Sequence, residues 1–294
     1  MKRKTVRMLL GMLLAAALLI PAFAACNASS DDAQPTSAPL KIMTFNVLNG
    51  WNTSDIGDRD DVTAKKILKL MPDVVGLQEF DDYYRNAKGT PLGSLISESY
   101  AEAGAEEQSW NPIFYNKSTL ELVQCGHHNF AMGTSYDTYQ YQGQVGSKFR
   151  TIAWALFKHK ESGKQFLVCN THLDVEESMR PAQAAELKTK VTELKEALAI
   201  TDVFLLGDLN SNVDSSTAKS LFSYGFQDTH KLAQTKDDLT SCGKKGLPVS
   251  GAYKYAIDHV YCISDHVTVS DYTTVTDMRT TSDHCPIVVT LTLD

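Results

Sequence analysis

The sequence predicts an α+β domain in which one β-sheet packs on another and helices cover the outside. Three observations carry this expectation. Apolar or β-branched runs of strand length recur through 40–294, each bounded by Gly, Asn, Asp or Pro. Helical spacings of apolar residues alternate with these runs instead of forming a separate block. Several runs, such as Val203-Phe204-Leu205-Leu206, are apolar at nearly every position, as strands covered on both faces are.

The expected strands are 40–47, 73–78, 112–115, 151–159, 165–170, 203–206, 256–263 and 286–293. A first helix, 60–70, carries Val62, Ile67 and Leu70 and stops before Pro72. A second, 181–200, places Ala184, Leu187, Val191, Leu194 and Leu198 at helical spacing, with Pro181 in its first turn. A shorter helix opens at Asp214, whose side chain suits an N-cap, and closes near Gly225. The stretch 125–148, rich in Gly, Tyr, Gln and Thr, reads as a long surface loop. No repeat, linker or low-complexity block interrupts 40–294, which is long enough for one domain with a substantial core.

The N-terminus has a different character. Lys2, Arg3, Lys4 and Arg7 precede an apolar run, 8–20, and then the small residues around Ala22-Phe23-Ala24-Ala25-Cys26. Basic head, short apolar stretch and small-residue site make 1–25 an export signal, too short for a membrane span. Cleavage after Ala24 gives a soluble secreted protein; a lipobox reading makes Cys26 a lipidated anchor and is favoured. Residues 26–39, rich in Ser, Ala, Asp and Pro, read as a flexible tether.

The net charge is −7 and no basic run is present, which argues against a protein that grips long nucleic acids by their phosphates. Of the six cysteines, none has zinc-site spacing. Cys169, Cys262 and Cys285 lie in apolar runs and read as small buried hydrophobes; an exported location permits one disulfide.

Chemistry gathers at the strand ends. Asn46, Glu79, His172, Asp208, Asn210 and Asp258 each stand within a residue or two of such an end, and Asp283-His284 just precedes the last strand. Ends on one sheet edge converge, so these groups can share a cleft. Four carboxylates together repel unless a cation sits among them, and oxygen donors suit Mg²⁺, Mn²⁺ or Ca²⁺. Imidazoles to move protons and carboxamides as fixed dipoles complete a set suited to attack of water on phosphorus. The plain alternatives are helix caps for Glu79 and Asp208 and a local ion pair for Asp258. His127, His128, His159, His230, His259 and His266 read as structural or solvated.

Thr44-Phe45-Asn46-Val47, 72–79 ending in Gln78-Glu79, Asn170-Thr171-His172-Leu173-Asp174, Gly207-Asp208-Leu209-Asn210 and Ser282-Asp283-His284-Cys285-Pro286 occur in that order. Together they resemble the endonuclease/exonuclease/phosphatase superfamily, with its deoxyribonuclease-I-like fold, over 40–294. The resemblance implies a four-layer αββα sandwich of two mixed sheets and a metal-dependent phosphodiesterase or phosphatase. It implies Glu79, Asn46 and Asp283 as metal ligands, for Mg²⁺ or else Mn²⁺ or Ca²⁺. Asp208 would activate water, Asn210 would orient Asp208 and the phosphate, and Asp258 would orient His284. His172 would protonate the leaving oxygen, while Asn46, Arg150 and Tyr115 would contact phosphate; a surface role for Arg150 and a core role for Tyr115 stay open. Family members act on DNA, RNA, sphingomyelin and inositol phosphates. The expectation is a monomeric, nuclease-like phosphoesterase of the cell envelope, with a phospholipid or inositol-phosphate esterase as the alternative. A binding module that has lost catalysis is a third reading, opposed by the intact carboxylates and Asp-His pair.

Overall fold

The computed structural model describes residues 37–50, 56–85, 91–105, 109–131, 138–141, 144–147, 150–241, 252–278 and 281–294. The expected export signal, Cys26 and most of the expected tether lie outside the described residues, as does Cys242. Among the described residues no helix is long and apolar enough to cross a membrane.

Along the chain run β1 (Pro39–Asn46), α1 (Ile56–Leu70), β2 (Val74–Gln78), α2 (Asp82–Arg85), α3 (Leu92–Leu95), β3 (Tyr100–Ala103), β4 (Ile113–Asn116), β5 (Leu120–Asn129), β6 (Thr138–Tyr141) and β7 (Gln144–Ser147). There follow β8 (Thr151–His159), β9 (Gln165–His172), α4 (Arg180–Leu198), β10 (Val203–Asp208), α5 (Ser216–Tyr224), β11 (Gln227–Asp228), α6 (Thr229–Leu232), β12 (Thr235–Lys236), β13 (Asp258–Ile263), β14 (Val267–Thr274) and β15 (Ile287–Leu293). A seven-stranded sheet has the order β12-β14-β15-β1-β2-β4-β3, and a six-stranded sheet the order β11-β13-β10-β9-β8-β5. Both are mixed: β1 runs parallel to β2 and antiparallel to β15, while β10 runs parallel to β9 and antiparallel to β13.

Residue parity explains the layers, because alternate residues of a strand face opposite ways. Leu40, Ile42, Val74, Phe166, Val168, Phe204, Leu206, Val260 and Cys262, all even-numbered, meet in the core between the sheets. Odd-numbered residues of the first sheet, Met43, Phe45, Val75 and Leu77, face Ala64 and Ile67 of α1 and Leu92 of α3. Those of the second sheet, Leu167, Cys169, Val203 and Leu205, face Leu187, Val191 and Leu194 of α4 and Leu221 of α5. The result is the expected four-layer αββα sandwich. Each fully buried side chain of this size contributes about 1.5–3 kcal/mol.

One polar layer interrupts the core between the sheets. Asn170 donates through Nδ2 to the carbonyls of Leu77, Asn111 and Pro112 at 2.7, 3.0 and 3.0 Å. It accepts at Oδ1 from Gln78 Nε2 at 2.7 Å. Gly76 leaves the room: a Cβ there would sit 2.8 Å from Asn170 Oδ1.

Several expectations need correction. The stretch 125–148 is not one loop: β5 runs to Asn129, and β6 pairs with β7 in an antiparallel ribbon. Ser215, not Asp214, caps α5, accepting from Ala218 N at 3.0 Å. β14, an alternating strand beside β15, was not anticipated. Cys169, Cys262 and Cys285 are buried, as expected of small hydrophobes in apolar runs, and burial pushes the Cys169 thiol up to about 12.

Candidate active site

Register and parity build the site. In the first sheet Asn46 lies beside Gln78; in the second, Asp208 lies between His172 and Asp258. All five are even-numbered, so all sit on the face turned toward the other sheet. They form the last rung of the core, at the C-terminal ends of β1, β2, β9 and β10. Asp258 opens its strand rather than closing it, and reaches the same edge because β13 is antiparallel to β10.

Each carboxylate is held by particular donors. Asn46 Nδ2 lies 3.0 Å from both Glu79 Oε1 and Asp208 Oδ2, joining a carboxylate of each sheet. Asp208 Oδ1 accepts from the Asn210 backbone N–H at 2.8 Å. The second Glu79 oxygen accepts from Asn49, through its backbone N–H at 2.9 Å and through its carboxamide. Glu79 and Asn210 have φ of +59° and +47°, left-handed conformations sparsely used by such residues and common at functional sites. Gly207 permits the close approach of β9 and β10: its own φ is +146°, and a Cβ there would fall 1.9 Å from the Thr171 carbonyl.

The histidines are equally fixed. His284 Nδ1 lies 2.7 Å from Asp258 Oδ2, and its Nε2 lies 3.8 Å from Asp208 Oδ2. The His284 backbone N–H donates to Ser282 Oγ, which donates to the Asn46 carbonyl at 2.7 Å, tying the last turn to β1. Asn210 Nδ2 donates to the Leu173 carbonyl at 2.9 Å and to His172 Nε2 at 3.0 Å. The same Nε2 lies 3.4 Å from Asp208 Oδ2. Burial, then the charges of Arg150 and His284, hold the His172 pKa well below the usual range. Burial and the neighbouring Asp258 carboxylate raise Asp208 to about 7.

The expected site residues therefore divide. Asn46, Glu79, His172, Asp208, Asn210, Asp258 and His284 form one hydrogen-bonded set. Asp283 stands at the rim, half exposed, with Oδ1 3.9 Å from His284 Nε2. Arg150 is buried beside the site, since the pairing of Ile152 with Thr171 brings it level with Leu173. Tyr115 is not in the site. It pairs with Val74, four residues from Gln78 along β2 and so about 13 Å away, and its ring packs on Phe157. The Asn210 side chain turns to His172 instead of Asp208, which it serves only through its backbone.

Sequence reasoning missed the support beneath the site. Asn49 holds Glu79, and the Gly50 N–H donates to Asp81 Oδ2 at 2.9 Å. Tyr84 donates to the Val47 and Leu48 carbonyls at 2.7 and 2.9 Å, and Arg59 donates to the same two carbonyls and to Tyr84 Oη. The spacing Asn46-Val47-Leu48-Asn49 was a usable signal for Asn49; nothing local marks Arg59.

Among the described residues, Asp208, Asp258 and His284 bring one possible ligand atom each within 4.8 Å of one another. This trio differs from the expected ligands Asn46, Glu79 and Asp283. Its Asp258 and His284 already bond each other, so it suits proton handling better than caging an ion. The wider donor set still fits a hard cation through its carboxylate oxygens; Asn46, expected as a ligand, instead turns Nδ2 to Glu79 and Asp208 while its Oδ1 accepts from the Leu48 N–H at 3.0 Å.

The profile of the Endonuclease/Exonuclease/phosphatase family matches residues 43–284. The chain belongs to that family, whose members are hydrolases acting on phosphate esters. No curated protein matches the chain. Solved structures share the fold. A family protein from Bacteroides thetaiotaomicron superposes with a TM-score of 0.69 at 22% identity, covering 88% of this chain and 99% of its own. A mannosyl-6-phosphatase of the same organism gives 0.67 at 20% identity, over 86% and 99%. D. rerio TDP2, complexed with a single-stranded DNA product, gives 0.59 at 17% identity, over 86% and 99%.

Proposed function

We propose that the protein is a divalent-metal-dependent phosphoesterase that hydrolyses its substrate by in-line attack of water on phosphorus. The observation that carries this reading is the position of Asp208. It is buried, raised to about 7, held by Asn46 and the Asn210 backbone, and lies within 3.8 Å of His284 Nε2.

Asp208 accepts the proton of the attacking water, whose oxygen forms the new P–O bond as the ester P–O bond breaks. The two donors on its carboxylate fix it for that task. Asp258 accepts from His284 Nδ1 and aims Nε2 at the phosphate, where the imidazole stabilises developing charge. Arg150, buried at the edge of the cleft, supplies a fixed positive charge for the phosphate. We assign His172, bonded to the Asn210 carboxamide, to hold that side chain in place, and the leaving oxygen takes up its proton from solvent. Glu79 and Asp283 would hold the cation, which when bound would polarise the phosphoryl oxygens and offset the clustered carboxylates, and Asn46 fixes Glu79 beside it. Mg²⁺ is the first choice, with Mn²⁺ or Ca²⁺ as alternatives. We further propose that the domain works outside the cytoplasm as a monomer, tethered through lipidated Cys26.

The same chemistry serves a nuclease-like phosphodiesterase, a sphingomyelinase and an inositol- or sugar-phosphate phosphatase. The test is hydrolysis of plasmid DNA, RNA, sphingomyelin, inositol phosphates and sugar phosphates by the domain 40–294, with and without EDTA. Activity that needs both metal and Glu79 is expected for at least one substrate. Glu79→Ala protein that kept full activity would overturn the assignment.

A further inference from the structure

His284 and Asp258 belong to different sheets. Asp258 opens β13 of the six-stranded sheet, and His284 stands three residues before β15 of the seven-stranded sheet. Their side chains nevertheless meet at 2.7 Å, Nδ1 to Oδ2. The other Asp258 oxygen, Oδ1, is buried and has no hydrogen-bond partner among the described residues. The alignment of the pair therefore depends on how the two backbone segments are held against each other.

Ser241 touches both segments. Its Oγ accepts from the Asp258 backbone N–H at 3.3 Å, and its carbonyl accepts from the N–H of Cys285, next to His284, at 2.6 Å. Ser241 is 1% exposed, so water does not compete for either bond.

Ser241 is itself held from the far side. It ends a strap, 235–241, that begins as β12, paired with β14 at the edge of the seven-stranded sheet. Asp237 fastens the strap. Its carboxylate accepts from the Thr274 N–H and, at 2.9 Å, from Thr274 Oγ1, while its carbonyl accepts from His230 Nε2 at 2.8 Å. Asp238 ties the strap to the turn that leads into Asp258: its carbonyl accepts from the Ala252 N–H at 3.2 Å and its Oδ1 from the Tyr253 N–H at 3.3 Å.

We infer, resting on the phosphoesterase reading above, that Ser241 is a positioning residue for the Asp258–His284 pair. It fixes the spacing of the two backbones, and so the aim of the His284 imidazole at the phosphate, and it touches no substrate. Loss of Oγ releases the start of β13 but leaves the carbonyl bond to the His284 turn, so Asp258 shifts relative to the imidazole. Threonine keeps the acceptor.

The test measures kcat and KM of Ser241→Ala and Ser241→Thr, each alone and in the Asp258→Asn background, on the best substrate of the panel. Ser241→Ala is expected to lower kcat roughly 10- to 100-fold with KM little changed, the scale of a misplaced catalytic group, and Ser241→Thr to stay within about threefold of wild type. In Asp258→Asn protein, where the pair is already broken, Ser241→Ala is expected to cost less than about twofold more, because changes acting through one pair are not additive. A general loosening of the fold would lower kcat equally in both backgrounds. Proton NMR reads the pair without turnover. The downfield Nδ1–H resonance of His284, identified by its absence in His284→Gln, is expected to shift or broaden in Ser241→Ala and to persist in Ser241→Thr. Should Ser241→Ala not fold, Asp237→Asn, which weakens the strap at its far anchor, carries the same comparisons. Unchanged kcat, equal losses in the two backgrounds or an unmoved resonance overturns the Ser241 role and leaves the phosphoesterase reading intact. Absence of Glu79-dependent hydrolysis of every substrate overturns that reading, and the resonance then decides the Ser241 role alone.

Discussion

Asn170 of one sheet and Gln78 of the other meet at 2.7 Å in the buried interior. Gln78 belongs to the last rung, level with Asn46, and Asn170 is two residues below His172 on the same face. With three carbonyls also bonded to its amide, Asn170 fixes how the sheets register against each other. Replacing it by Leu removes four hydrogen bonds in a region closed to water, although the Gln78 amide keeps Thr44 Oγ1 and the Gly76 carbonyl and the Pro112 carbonyl keeps the Leu77 N–H. We expect Asn170→Leu to lower stability by about 3–5 kcal/mol in urea unfolding. A loss under 1 kcal/mol would show that apolar contact alone docks the sheets.

Asp258 is buried and bonded to His284 Nδ1, so its removal acts on the orientation and charge of that imidazole. Asp258→Asn is expected to reduce kcat by about 10²–10⁴ with a small change in KM. Steady-state kinetics on the best substrate of the panel measures this, and kcat within threefold of wild type excludes the orienting role.

Asp60, fully buried on α1, gives a pH dependence of stability separate from the catalytic carboxylates. Burial raises its carboxyl from 3.8 to about 7, opposed by the Leu92 backbone amide and the Arg59 charge. The folded state therefore binds this proton more tightly than the unfolded chain does. The contribution is fully present below 3.8 and is lost as pH rises through about 7, at up to about 1.4 kcal/mol per pH unit. Urea midpoints at pH 5 and pH 7 should show a smaller drop for Asp60→Asn than for wild type. Equal drops in the two proteins would mean that Asp60 is already ionised at pH 5.

The lipobox reading of 23–26 predicts a mature N-terminus at a diacylated Cys26. Mass spectrometry of the protein purified from membranes decides it: an unmodified Ala25 start identifies a soluble secreted form instead.

Much of this site was legible before any coordinates, for a physical reason. Strands such as Val203–Asp208 are buried on both faces, so a polar residue at the strand end stands out against an apolar run. Asn46, His172 and Asp208 were visible on that account. Tyr115 misled because an aromatic residue in an apolar strand carries no mark of which end of the sheet it occupies; only the register with Val74 reveals that. β5 and β14 were missed because their exposed faces dilute the apolar signal. Arg59 and Tyr84 were silent because their work is done on backbone carbonyls, which leave no trace in side-chain pattern. The opposite pKa shifts of His172, downward, and Asp208, upward, depend on burial and on charges brought from other strands, so no local reading contains them.

The Asn46 carboxamide, bonded at once to Glu79 of its own sheet and Asp208 of the other, makes the centre a coincidence detector. On the proposed mechanism neither half of the sandwich assembles the site alone. Turnover is therefore a reading of sheet closure itself, and under rising denaturant it should vanish as the halves part, before the strands within each have melted.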